Sequence, residues 1–138
     1  MRAVVDVNVL VSSVLSRSGA PARLISAWLD GAFEMVVSAM LLDELRRVLA
    51  YPKIRTRIPE VDAEQLIVLL GRALAREDPL TGPNVEITDP DDAYLVALAA
   101  TERAVLVTGD RGLLALADRI PVMAPGDFLI WLESQQPN

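Results

Sequence analysis

AVVDVNVLV, residues 3–11, sets a single carboxylate, Asp6, among valines and a leucine. Such an apolar, β-branched run predicts a buried strand over residues 3 to about 7. A lone carboxylate there is costly unless it is paired or bound to a cation. The plain alternative is that the strand stops and leaves Asp6 in water. Asn8 lies two residues on, so a continuing strand would send both side chains to one face.

Outward from this stretch, short apolar runs alternate with longer helical patterns, which predicts an α/β fold around a parallel sheet. Pro21 opens a helix that ends near Gly31, with Leu24, Ile25, Trp28 and Leu29 on its apolar face. Residues 34–37 form a second strand, Ser38 caps a helix over residues 39–50, and Pro52 stops it. A helix over residues 62 to about 77 follows. Pro79 and Pro83 bound a connection to a short strand at residues 85–87. Then come a helix in TDPDDAYLVALAATER, apolar nearly all round as in a helix buried between other elements, a strand at 104–107, and the turn TGD. A short helix at 111–117, a strand at 121–123 and a helix at about 126–133 complete the series.

Composition narrows the chemistry. The 138 residues are the size of one domain, which buries roughly 68% of its unfolded surface, and the 52% hydrophobic content supports a packed core. With no Cys and no His, disulfides, thiolate and imidazole metal sites, and Ser/His/Asp triads are excluded. Carboxylates, hydroxyls, Lys/Arg or a hard metal held by oxygen remain. The amino terminus does not read as a signal peptide and no apolar run suits a bilayer span, so the expectation is a cytoplasmic protein with no membrane contact. The net charge of −6 argues against broad nucleic-acid binding, yet Arg46, Arg47, Lys53, Arg55 and Arg57 place five of thirteen cations within twelve positions. Such a patch suits a phosphodiester; it also suits a solvated helix face.

Four acids stand out, each with a bland alternative. In AMLLDELRRVLA, a step of about 100° per residue places Asp43 in mid polar face and Glu44 at the edge of the apolar arc, beside Met40 and Val48. Asp89, Pro90, Asp91 and Asp92 make a good helix start, and three acids in four residues exceed what a cap needs. Asp110 follows the strand AVLVTG and can simply cap the next helix. The weight lies in their joint placement at strand ends and helix starts, where ligands sit in such sheets. Carboxylates gathered without His would repel one another unless a divalent cation neutralised them, and an all-oxygen donor set selects Mg²⁺ or Mn²⁺.

VVDVNVLVSS, VVSAMLLDEL, TDPDDAYLVALA and VLVTGD, in this order and spacing, resemble the PIN domains, particularly the toxin components of toxin–antitoxin pairs. The resemblance covers nearly the whole chain. It implies a three-layer α/β/α fold with a central, mainly parallel sheet, as a single domain over residues 1–138. It implies Asp6, Glu44, Asp92 and Asp110 as metal-binding catalytic acids, supported by Asn8, Ser38 and Thr108. It further implies an Mg²⁺- or Mn²⁺-dependent endoribonuclease acting on single-stranded RNA, a homodimer, and inhibition by a cognate antitoxin. Val7 stands where a hydroxyl residue is frequent and Ala93 where a lysine is, and Asp91 competes with Asp92 for the third position. Trp28, Met40 and Trp131 suggest an apolar groove for a partner; they also suit the core.

Two other readings remain open. A phosphohydrolase of the haloacid-dehalogenase type would use Asp6 as nucleophile, with GDRGLLALAD as its late acidic element. Asn8, however, stands where that class needs a proton carrier. A noncatalytic PIN-like binding module is the third.

Overall fold

The structure is a computed structural model and describes residues 1–135. Five strands, β1 (Arg2–Val5), β2 (Glu34–Val37), β3 (Leu74–Ala75), β4 (Val105–Val107) and β5 (Val122–Met123), form one sheet in the order β3-β2-β1-β4-β5. Every pairing is parallel, with Ala3 opposite both Met35 and Val105. Val4, Val36, Leu106 and Val107 are fully buried, as expected when both faces of a parallel sheet are covered.

Eight helices surround it: α1 (Val7–Leu15), α2 (Ala20–Leu29), α3 (Ala39–Leu49), α4 (Pro52–Arg55), α5 (Glu60–Leu70), α6 (Ala93–Thr101), α7 (Arg111–Leu114) and α8 (Pro125–Gln135). Right-handed crossovers put the β1→β2→β3 connections on one face and the β3→β4→β5 connections on the other, giving three layers. Accordingly α1 packs on α2 and α3, whereas α6 packs on β1 and β4. Leu95 through Ala99 are all buried on α6, the helix whose sequence is apolar all round. Trp28 belongs to the core, and half-buried Trp131 packs on buried Phe128, 5.9 Å between ring centres. The partner-anchor role suggested for those two tryptophans thus gives way to packing; Met40 alone of the three is exposed.

Elsewhere the expected boundaries shift for physical reasons. β1 ends at Val5 and a helix begins at Val7, so Asp6 is an N-cap and not a residue within a strand. Asn8 consequently sits exposed on α1 and does not share a strand face with Asp6. The helix expected to reach residue 77 stops at Leu70, where Gly71 follows, and β3 adds an edge strand in its place. Residues 85–87 form no strand: Val85 and Ile87 pack against the core, but the segment between two prolines joins no ladder. Gly82 lies so close to α6 that an added Cβ would stand 3.0 Å from that of Ala97, which holds this irregular segment against the helix.

Two of the helices that feed strands end alike. After α2, Gly31 adopts φ 85° while Ala32 N–H reaches Ala27 O at 2.9 Å; after α6, Arg103 takes φ 53° and Ala104 N–H reaches Ala99 O at 2.8 Å. This left-handed cap satisfies the last carbonyls and aims the chain into the next strand.

Candidate active site

In the sheet order, β1 is the point where the chain's direction of travel reverses: β2 and β3 lie on one side, β4 and β5 on the other. The crevice beyond the carboxyl ends of β1 and β4 is where such sheets hold ligands. Asp6 stands there directly after β1, and Thr108 and Asp110 directly after β4.

Their geometry is a hydrogen-bonded chain. Asp6 N–H donates to Val107 O at 2.9 Å, which fixes the acid against β4. Thr108 Oγ1 donates to Asp6 Oδ2 at 2.7 Å and accepts from Asp110 N–H at 3.0 Å. Asp110 Oδ2 accepts Leu113 N–H at 2.9 Å as the cap of α7. Asp6 is only 6% exposed and Thr108 is 0% exposed. A carboxylate so buried is tolerable because the hydroxyl of Thr108 and the N–H of Asn8 point at it.

Electrostatics tie Asp92 to this pair. Burial, followed by the charges of Asp6, Asp89, Asp110 and Asp91, raises the Asp92 carboxyl to about 6. Burial also raises Asp6, the Thr108 and Asn8 hydrogen bonds oppose it, and Asp110 adds to the rise. Asp89 caps the 3-10 turn Pro90–Asp92 by accepting Asp91 N–H at 3.0 Å, so the four-residue acidic run divides its labour. Asp89 and exposed Asp91 frame the turn, while half-buried Asp92 makes no capping bond. A Cβ on Gly112 would lie 3.1 Å from Asp110 Oδ2 and 3.4 Å from Thr88, so the glycine lets the approach to that turn close over α7.

Glu44 is turned further from solvent than Asp43, as the helical phase of α3 predicts. Its side chain is 33% exposed against 79% for Asp43, and both Nε and a terminal nitrogen of Arg47 donate to it. Tyr94, which lines a groove with Glu44, feels the charge of Glu44 as well as of Asp6 and Asp92. Burial raises its hydroxyl, reinforced by the charges of Asp6, Glu44, Asp92 and Asp78 in that order. Tyr94 and Asp78 are the two groups that sequence reasoning missed. Asp78 Oδ2 accepts Met40 N–H at 3.0 Å near the start of α3, and its buried Oδ1 has no hydrogen-bond partner. Nothing in the sequence marks Asp78, which falls in a stretch that reads as the end of a helix. Ser38 Oγ accepts Leu41 N–H at 3.3 Å, so its role is that of the cap of α3.

The structure thus links Asp6 and Asp110 through Thr108, brings Asp92 within range of their charge, and sets Glu44 and Tyr94 along one groove. Among the described residues no three acids already converge on one point as a finished cation site. The donors nevertheless suit a hard divalent ion: all are oxygens, and their mutual repulsion, expressed in the raised Asp92, is what such an ion would relieve.

Residues 2–112 match the family model for the PIN domain, and the chain belongs to that family. It is also 24% identical over 121 residues to an uncharacterized protein of Methanocaldococcus jannaschii, MJ1680, spanning 86% of this chain and 76% of that one. PIN domains are in general nucleases that engage RNA and typically use divalent metal ions. No helix among the described residues is long and apolar enough to cross a membrane.

Proposed function

We propose that this chain, as one domain over residues 1–138, is an Mg²⁺- or Mn²⁺-dependent endoribonuclease of single-stranded RNA. We further propose that it works in the cytoplasm as a homodimeric toxin restrained by a cognate antitoxin. The observation that carries the catalytic part is the linkage of Asp6, Thr108 and Asp110 at the β1/β4 crevice, with Asp92 raised first by burial and then by the charges of Asp6 and Asp110 among its acidic neighbours. The toxin, dimer and antitoxin parts rest on the resemblance of the four sequence motifs.

Asp6, Asp92 and Asp110, with Glu44, would hold the ion. When bound, a divalent cation supplies neutralisation of charge developing at phosphorus and a lowered pKa for water. The chain's own contributions are positional. Thr108 fixes one oxygen of Asp6, and the helix starts at Val7 and Arg111 aim backbone N–H groups toward the crevice. Tyr94, kept neutral by its surroundings, stays a hydrogen-bond donor at any physiological pH. The phosphohydrolase alternative loses support, since its proton carrier would be Asn8, exposed on α1.

Purified protein is expected to cleave single-stranded RNA with Mg²⁺ or Mn²⁺ and to stop in EDTA. Undiminished cleavage in EDTA, or turnover of phosphate monoesters in place of RNA, would overturn this reading. Within the site, Glu44→Gln should lower cleavage at least about tenfold, in the range expected when a catalytic electrostatic group is removed. Asp43→Asn, on the solvent face, should stay within about twofold, since surface changes are nearly neutral. An essential Asp43 beside a dispensable Glu44 would place the ligand on the wrong face of α3.

A further inference from the structure

Met40, Asp43, Glu44, Arg47, Pro90, Asp91, Ala93 and Tyr94 line an open groove of about 520 Å³ between α3 and the start of α6. Of this lining, Tyr94 feels the charges of Asp6 and Asp92, and Arg47 pairs with Glu44. Among these lining residues Arg47 is the sole cation, beside three carboxylates. Arg47 donates from NH1 to Tyr51 Oη at 2.8 Å, and its guanidinium carbon lies 5.8 Å from the centre of the Tyr51 ring. With the two bonds to Glu44, three of the five guanidinium donors are used, and two remain for an incoming group. The Arg47 side chain is 59% exposed, and Tyr51 is 43% exposed.

Stability explains this corner poorly. An exposed i,i+3 ion pair contributes little, and an aromatic ring left nearly half in water buries little area. The chemistry suits a nucleic-acid strand. A planar guanidinium matches a phosphate, and an exposed tyrosine face stacks on a base of any sequence. Beyond Tyr51 in the chain, Lys53 and Arg57 are exposed and make no ion pair among the described residues, so further positive charge follows it.

We infer that Arg47 and Tyr51 form a docking platform for single-stranded RNA, Arg47 holding a backbone phosphate at the rim of the groove and Tyr51 stacking on the adjoining base. The inference rests on the ribonuclease reading and names the part of the surface that grips the substrate outside the acids.

The test is binding of a short fluorescent single-stranded RNA, followed by anisotropy across a salt series with Mg²⁺, in an Asp92→Asn parent whose hydrolysis is suppressed. Tyr51→Ala is expected to weaken binding about tenfold, within the range for losing one stacked base. Tyr51→Phe should bind within about threefold of the parent, because the ring is kept. Tyr51→Leu fills similar space without a π-face; it should bind as poorly as alanine if stacking is the role and rescue binding if the role is packing. Arg47→Ala should weaken all sequences alike and reduce the salt slope by about 0.7. Parent-like affinity and slope in Tyr51→Ala and Arg47→Ala, rescue by leucine, or tighter binding of a duplex would each overturn the platform. If the wild type cleaves RNA while the parent fails to bind the short strand, the platform falls and the ribonuclease reading stands; if the wild type also cleaves none, both fall.

Discussion

Asp92→Asn is expected to abolish at least about 99% of cleavage and yet to raise the melting temperature of the metal-free protein at pH 7. The loss of rate, at least about 10²-fold, is what removing a charged group at a reacting centre typically costs. The gain in stability comes from the carboxyl's folded pKa of about 6, against an ordinary 3.8. Between those values the folded state binds more protons than the unfolded chain, so this group's contribution is fully present below about pH 4 and lost as pH rises through 6. Half-buried Asp92 is screened by water, which reduces the penalty above pH 6 to about 1 kcal/mol. Asparagine removes it, for a gain of about 4 °C. The wild type should therefore show a falling melting temperature from pH 4 to pH 6.5, and the variant a shallower fall due to Asp6, whose carboxyl is raised as well. For a dissociation constant of about 1 mM, 10 mM Mg²⁺ would restore roughly 1.4 kcal/mol to the wild type. Parallel pH profiles for the two proteins, with no response to Mg²⁺, would show that these acids are helix caps and not a site.

Thr108→Val should destabilise the protein by about 2 kcal/mol, near 8 °C in melting temperature for a domain of this size. Valine keeps the shape and deletes both hydrogen bonds, leaving the Asp110 N–H unpaired and Asp6 without the hydroxyl that holds its charge in a buried place. Asp6 then titrates higher still, and cleavage should fall about 10- to 100-fold through misplacement of a carboxylate that has lost its hydroxyl donor. Thr108→Ser keeps the hydroxyl and should retain most activity. Urea or thermal denaturation with a cleavage assay on the same samples separates the two effects. A valine variant as stable and active as the wild type would remove the Thr108 link from the account.

How far the sequence reveals these features depends on where its signals are local. The alternation of elements, four of the five strands and the caps at Ser38 and Asp110 are legible because a single residue type or a run of valines announces each. α1 is not. The strand expected to reach about Val7 is cut short because Val7, Val9, Leu10 and Val11 pack into the core as a helix, which overrides the β-branched preference. The correct signal was Asp6 itself, a common N-cap, masked by the valines on either side. β3 is two residues long, too short for any periodicity, while Gly71 did mark the end of α5. At the site, the acids on helix starts are visible in the chain. Tyr94 and Asp78 acquire meaning only from neighbours distant in sequence, which no window of residues contains.

The hydrogen bond from Thr108 to Asp6 spans 102 positions of sequence. Its two ends directly follow adjacent central strands, yet everything that flanks β1 on the other side, β2 and β3 with their helices, is synthesised in between. Pairings of such separation close late, because their loop entropy must be met before the contact repays it. An incomplete chain therefore carries Asp6, Glu44 and Asp92 without Thr108, which seats the first of them, and without Asp110, so three of the acids precede the site. For an enzyme whose substrate class surrounds it during its own synthesis, the order of strands works as a delay.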